Sequence, residues 1–221
     1  MSIVSVGQVT RFTPWSCRDD KGSPVPGAPV YLIRPPSVMT RARWRREVGE
    51  TGAPAIPPGR EELTAVLRRG ITEIVAEHQQ PELLALADEY DAAFTEVQAQ
   101  REKDDASPEA RQAANDRLAA VSNRMGFLEG EIRGKYPPYA QALAARTFWF
   151  EVAPWVAARH FLCGWENVTV AGLPVEFAQV NGLVPEALLE QLPPDHIADV
   201  GWRAIGLTSA NRDDEKNSAG A

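Results

Sequence analysis

Pro81-Glu82-Leu83-Leu84-Ala85-Leu86-Ala87-Asp88-Glu89-Tyr90-Asp91-Ala92-Ala93-Phe94-Thr95-Glu96-Val97 decides the fold class. Leu83, Ala87, Tyr90, Phe94 and Val97 return at spacings of four, three, four and three, the period of one helix face. Pro81 suits a first helical turn, where its missing N–H would have no partner in any case. After Asp104-Asp105-Ala106, the triplet Ser107-Pro108-Glu109 offers a cap, a proline at the first position and an acid at the positive helix end. Leu118, Val121, Met125, Leu128 and Ile132 then repeat at three, four, three and four. Two apolar stripes joined by a short polar loop predict an antiparallel helical hairpin over 81–135, about 25 residues per arm.

Downstream, Pro137-Pro138 breaks the second arm and opens a more apolar helix crowded with Tyr139, Phe148, Trp149, Phe150, Trp155 and Phe161. Its near-uniform apolarity predicts the central element on which the hairpin packs. Pro154 is expected to kink or split it, because proline removes a backbone donor and crowds the preceding turn. Arg146, Glu151, Arg159 and His160 interrupt it, leaving Val152–Ala158 as the uncharged centre, far short of a membrane span. The helix is expected to end at Gly164-Trp165-Glu166-Asn167. A small β unit follows, with Val168 and Val170 alternating, Ala171-Gly172 turning, and Val175 and Phe177 alternating back. Pro185 opens a helix with Leu188, Leu189 and Leu192, and Pro193-Pro194-Asp195 leads into another with Ile197, Val200 and Ile205.

Upstream, Ile3–Phe12 and Val30-Tyr31-Leu32-Ile33 read as strands around the turn formers Asp19–Pro24 and Pro26-Gly27, an N-terminal β hairpin. Ser37 or Thr40 can cap a helix to about Val48, and residues 52–59 are a Pro/Gly linker before a helix over 60–77. The expectation is an α+β, mainly α protein: N-terminal β hairpin, helical bundle with a long antiparallel hairpin, and a small C-terminal β unit plus helices. Its segments are 1–52, 53–163, 164–210 and a flexible polar tail over 211–221.

The chain has 221 residues, 44% hydrophobic and 24% charged, an ordinary globular balance. Cys17 and Cys163 are too few for a disulfide framework and fit free thiols in a reducing compartment. Met1–Val6 predicts no secretory leader. The net charge of −7 is uneven: residues 1–70 carry 11 Lys/Arg against 6 Asp/Glu, and residues 71–221 carry 12 against 24. A basic front and acidic rear can pair within the chain or between copies.

No catalytic signature emerges. His78, His160 and His196 have no second ligand at metal spacing; His78 and His196 read as surface residues and His160 as a hydrogen-bonded core or edge histidine. Neither a phosphate-binding glycine loop nor a nucleophile elbow occurs. Asp104-Asp105 and Asp213-Asp214 read as solvated loop and tail. No enzyme activity, metal or cofactor is expected. Arg34, Arg41, Arg43, Arg45 and Arg46 form a basic cluster, with Arg41 and Arg45 on one helix face and Trp44 between them able to stack on a base. Glu47, Glu50 and the acidic total argue against nucleic acid.

Gly164-Trp165-Glu166-Asn167-Val168, Gly172-Leu173-Pro174-Val175-Glu176-Phe177, Leu188-Leu189 to Leu192, and Leu207-Thr208-Ser209 to Glu215-Lys216-Asn217-Ser218 resemble the tail assembly chaperones of long-tailed bacteriophages. Tyr31-Leu32-Ile33-Arg34-Pro35-Pro36 followed by Arg41–Arg46 is similar to proteins of the same tail gene clusters. The central hairpin is long for that family, which keeps open a structural tail or head–tail component retained in the virion. A small DNA-binding regulator is the third alternative. The resemblance implies a non-enzymatic protein of the host cytoplasm, absent from the mature virion. It implies binding to the tape measure protein and tail tube subunits, with possible self-association and no membrane partner. Trp149, Trp155, Trp165, Trp202, Arg41 and Arg45 are the candidate partner-binding residues, tryptophan because it buries much area at low entropic cost.

Overall fold

A computed structural model describes residues 8–103 and 105–218, with side chains through Thr208. The chain divides into two compact units: residues 1–57 with 147–221, and residues 58–146. The expected first and last segments therefore close together in one unit.

In the 58–146 unit, α2 (Arg60–Ile74), α3 (Gln80–Glu102), α4 (Pro108–Lys135) and the start of α5 (Pro137–Phe161) share one core. The hairpin forms as the two stripes predict. Ala87, Val97, Val121, Met125, Leu128 and Ile132 are buried, while Leu83, Tyr90, Phe94 and Leu118 are half-buried. Ser107 caps α4 by accepting the Ala110 N–H at 3.2 Å, a contact worth about 1 kcal/mol. Leu63, Leu67 and Ile71 of α2 complete the core with Tyr136 and Tyr139. Arg60 pairs with Asp91 and lies 4.3 Å from the Phe94 ring centroid, so charge and π-face together hold α2 on α3.

In the other unit, β2 (Val30–Ile33) is the centre of a three-stranded antiparallel sheet, between β1 (Thr10–Phe12) and β3 (Leu162–Glu166). The predicted N-terminal hairpin is present from Thr10; the earlier part of the expected first strand, through Gly7, lies outside the described residues. The expected helix end at Gly164 is corrected. α5 stops at Phe161, and Leu162–Glu166 becomes a strand. Tyr31 pairs with Trp165 and Leu32 with Gly164, with an irregularity before Ile33↔Leu162 that leaves Cys163 over. The physical reason is long-range: the second edge of β2 needs hydrogen-bond partners, and residues some 130 positions away supply them.

β4 (Thr169–Val170) and β5 (Leu173–Pro174) pair across Ala171 (φ 50°) and Gly172 (φ 79°), a two-residue turn with both central residues left-handed. Phe177 joins no strand. α6 (Glu186–Leu189) and α7 (Pro194–Ser218) follow, as their prolines predict. The backbone is helical through Ser218, into the expected tail, and residues 219–221 lie outside the description. Ser37 caps α1 (Val38–Glu50) through the Thr40 N–H.

The aromatic helix behaves differently from expectation in two respects. Pro154 does not split it; α5 runs through. Its aromatic half, from Trp149, is built into the core of the first unit with Ala153, Val156, Ala157 and Phe161, whereas only Tyr139, Ala142 and Leu143 pack with the hairpin core. The sequence identified a buried helix correctly but could not say that its two halves serve different cores. Among the described residues no helix is long and apolar enough to cross a membrane.

Gly201 of α7 lies directly on the Pro154 carbonyl of α5, where an added Cβ would overlap backbone atoms. A backbone obstacle cannot rotate aside, so overpacking here should cost near the top of the usual range, about 3 kcal/mol. All six tryptophans (15, 44, 149, 155, 165 and 202) belong to this unit and none to residues 58–146, so tryptophan fluorescence reports it selectively. Gly201→Ala is expected to shift the fluorescence-detected urea transition to lower urea. Circular dichroism should retain the signal of the hairpin unit through that shift.

Candidate functional site

The second half of α5 presents Phe150, Pro154 and Trp155 toward α6, the turn after it and the first turns of α7, which contribute Leu189, Leu192 and Ile197 in that order. Between them lies an open apolar groove of about 560 Å³. Its floor is firm, because Leu189, Leu192 and Ile197 are themselves core residues. Glu151 and Glu190 add carboxylates to the lining.

Phe150 links the groove to an aromatic cluster. Its ring centroid is 5.4 Å from Trp149 and 5.2 Å from Trp202, and Trp149 and Trp202 are 6.0 Å apart. Offset and edge-on rings of this kind attract one another beyond the area they bury. Phe150 is 42% exposed and Trp202 37%, both large for an aromatic on a packed helix.

Of the six residues expected to meet a partner, three come together here. Trp155 lines the groove, and Trp202 and the buried Trp149 pack on Phe150, itself a lining residue. Trp165 is elsewhere. Its indole N–H donates to the Val175 carbonyl at 2.7 Å and its ring meets Phe177 edge-on at 4.8 Å, so it holds the β4–β5 unit against the sheet. Arg41 donates to the Thr208 carbonyl at 3.4 Å, tying α1 to α7, and Arg45 is exposed on α1. Trp44 is 5% exposed and donates its N–H to the Ala153 carbonyl at 3.2 Å, which removes it as a base-stacking platform.

The walls of the groove depend on a semi-buried charge network. Arg159 Nη1 reaches Glu47 Oε1 at 2.5 Å and Glu186 Oε1 at 2.8 Å, joining α5 to α1 and α6. His160 Nε2 is 2.8 Å from Glu47 Oε2, in keeping with its reading as a hydrogen-bonded core histidine. Both oxygens of Glu47 are thus committed to neighbours with little access to water. His196 is not the surface residue expected. It sits between Tyr31 and Cys17, at 3.1 and 3.3 Å.

Sequence reasoning found the apolar residues of α5, α6 and α7 but not the groove, since periodicity says which positions are buried and not which two faces meet. Phe150 carried the one usable signal, an aromatic next to a charge on an otherwise apolar helix. Among the described residues no group of three or more His, Cys, Asp and Glu side chains is placed to hold a metal ion. No family model matches the chain, and no curated protein or solved structure is significantly similar to it.

Removing Glu47 leaves a buried imidazole and a guanidinium without their shared acceptor, a loss of about 2–4 kcal/mol at this degree of burial. Glu47→Ala is therefore expected to destabilise the tryptophan-containing unit strongly in urea melts followed by fluorescence. Glu50→Ala, removing an exposed carboxylate paired with Arg46 on the same helix, serves as the near-neutral comparison.

Proposed function

We propose that the chain is a non-enzymatic tail assembly chaperone of a long-tailed bacteriophage, acting in the host cytoplasm on the tape measure protein and tail tube subunits. The observation that carries the reading is the open apolar groove beside the Phe150–Trp202 pair. Helical segments awaiting assembly expose one apolar face, and a groove between helices with aromatic borders is the shape that receives such a face. The groove is built by residues within and beside the segments that carry the resemblance, Leu188–Leu192 among them. An acidic exterior keeps a complex with an aggregation-prone client in solution.

The DNA-binding alternative is disfavoured: Trp44 is occupied in the core, Arg46 pairs with Glu50, and Arg41 bonds the Thr208 carbonyl. A structural tail component differs from a chaperone in its fate, present in the finished particle rather than released.

Two measurements test the proposal. Coexpression with the tape measure protein of the same phage should yield a soluble complex on affinity purification. Phe150→Ala with Trp202→Ala should weaken that complex at least 10-fold, since central aromatic contacts each carry about 2 kcal/mol or more. Mass spectrometry of purified virions should find no stoichiometric copy of this chain. A stoichiometric copy, or a complex indifferent to both aromatic truncations, would defeat the chaperone assignment or its location respectively.

A further inference from the structure

The loop between β1 and β2 carries a single 3-10 turn, Trp15–Cys17, that sits on the first turns of α7. The Trp15 N–H donates to Asp199 Oδ2 at 2.8 Å and the Ser16 hydroxyl to Asp195 Oδ2 at 2.7 Å. Cys17 Sγ lies 3.3 Å from His196 Nε2. On the other side of the same ring, the Tyr31 hydroxyl is 3.1 Å from Nδ1, and the two rings meet edge-on with centroids 6.0 Å apart.

Three side chains from separate parts of the chain are thereby aligned: a thiol, an imidazole, and a hydroxyl that holds the imidazole from behind. Sulfur within hydrogen-bond reach of a base that is oriented by a third group is the arrangement that activates a nucleophile. Tyr31 is fully buried, and burial first, then the nearby Cys17 and Asp195, push its phenol well above the ordinary value. It therefore keeps its proton at neutral pH and remains a fixed neutral clamp. Asp195 is held below the usual carboxylate range, chiefly by the Ser16 hydroxyl with His196 contributing, so a negative charge stands beside the imidazole.

The second cysteine provides the contrast. Cys163 gives its S–H to the Leu32 carbonyl at 3.4 Å, and burial pushes its thiol up, opposed by Arg34. Both thiols are half-buried, but Leu162 and Gly164 beside Cys163 are buried. Trp15 and Ser16 beside Cys17 are exposed and Cys17 itself is half-buried, an opening suited to small reagents rather than to another protein's core cysteine.

We infer that Cys17 is an activated thiol and a reversible modification site for small disulfides, with His196 as its base and Tyr31 as a positioning residue. In the step, the Cys17 proton passes to His196 Nε2 and the thiolate attacks one sulfur of the disulfide. A new S–S bond to Cys17 forms as the old one breaks, and the expelled thiolate takes the proton from His196. Cys17 is oxidised and the disulfide supplies the oxidising equivalent, leaving one free thiol. The attached group displaces Sγ from His196, removing one of the three ties between the turn and α7.

The intact protein is treated with dithiodipyridine, a neutral aromatic disulfide, and labelling at Cys17 and Cys163 is resolved by peptide mass mapping. A half-buried thiol without assistance reacts more slowly folded than unfolded; an assisted one reacts faster. Cys17 is expected to react about 10-fold or more faster in the folded protein than in urea, and Cys163 more slowly. A folded-to-unfolded ratio at or below one for Cys17 overturns the assignment, with no variant needed. His196→Gln should bring Cys17 down to its unfolded rate while Cys163 stays protected; an unchanged Cys17 rate rejects His196 as the base. Tyr31→Phe keeps the ring and should change the ring-nitrogen NMR shifts of His196, and an unaltered pattern rejects the positioning role.

Discussion

The contact of Gly201 with the Pro154 carbonyl is the constraint on which the tryptophan-containing unit depends. It lets α7 approach α5 at backbone distance, closer than any side chain would permit. Trp149 and Trp202 then reach ring contact on one side, while Leu192 and Ile197 come to line the groove on the other. Glycine in a helix normally costs stability relative to alanine. Here that cost is offset by dispersion and burial along two apolar helices. Proline within α5 and glycine within α7 are both poor helix residues taken alone, and they are placed against each other.

The same closeness determines where polarity goes. With α5 covered by α1, α6 and α7, the charged residues at its end cannot all reach water. Arg159 and His160 therefore share the carboxylate of Glu47, and Arg159 also takes Glu186. Such a network contributes little net stability compared with an apolar packing, but it penalises any arrangement that separates its members. It ties the short helix α6, only Glu186–Leu189, to two long ones. That tie gives the groove a wall that an isolated four-residue helix could not maintain.

The proposed function rests on what remains open. The groove leaves Phe150, with Trp202 beside it, partly at the surface, and it does so on well-anchored elements. In the proposed role, its aromatic border and carboxylates receive a helical client held in solution until it is assembled. The thiol–imidazole–phenol alignment at the start of α7 draws on the same helix for the proposed thiol chemistry. Neither site draws on the basic cluster of α1, whose tryptophan and two of whose arginines are engaged inside the unit.

The hairpin over α3 and α4 was legible because helix periodicity, a serine cap and two prolines are local signals, each acting within a few residues. The same holds for the β4–β5 turn and for the helix starts at Pro185 and Pro194. Leu162–Glu166 was not legible as a strand, since its hydrogen-bond partners are on β2, distant in the chain, and its glycine resembled a helix stop. The groove and the Cys17–His196–Tyr31 alignment were hidden for a related reason: their residues are spread over separate elements with no shared spacing. By itself the sequence determined most of the helical segments, which of their faces are apolar and where most elements begin, because these are near-neighbour effects of backbone sterics and hydrophobic period. Only the tertiary structure decided which apolar faces meet, how α5 divides between two cores, and which polar atoms are brought within hydrogen-bond reach, because those depend on contacts that chain order does not encode.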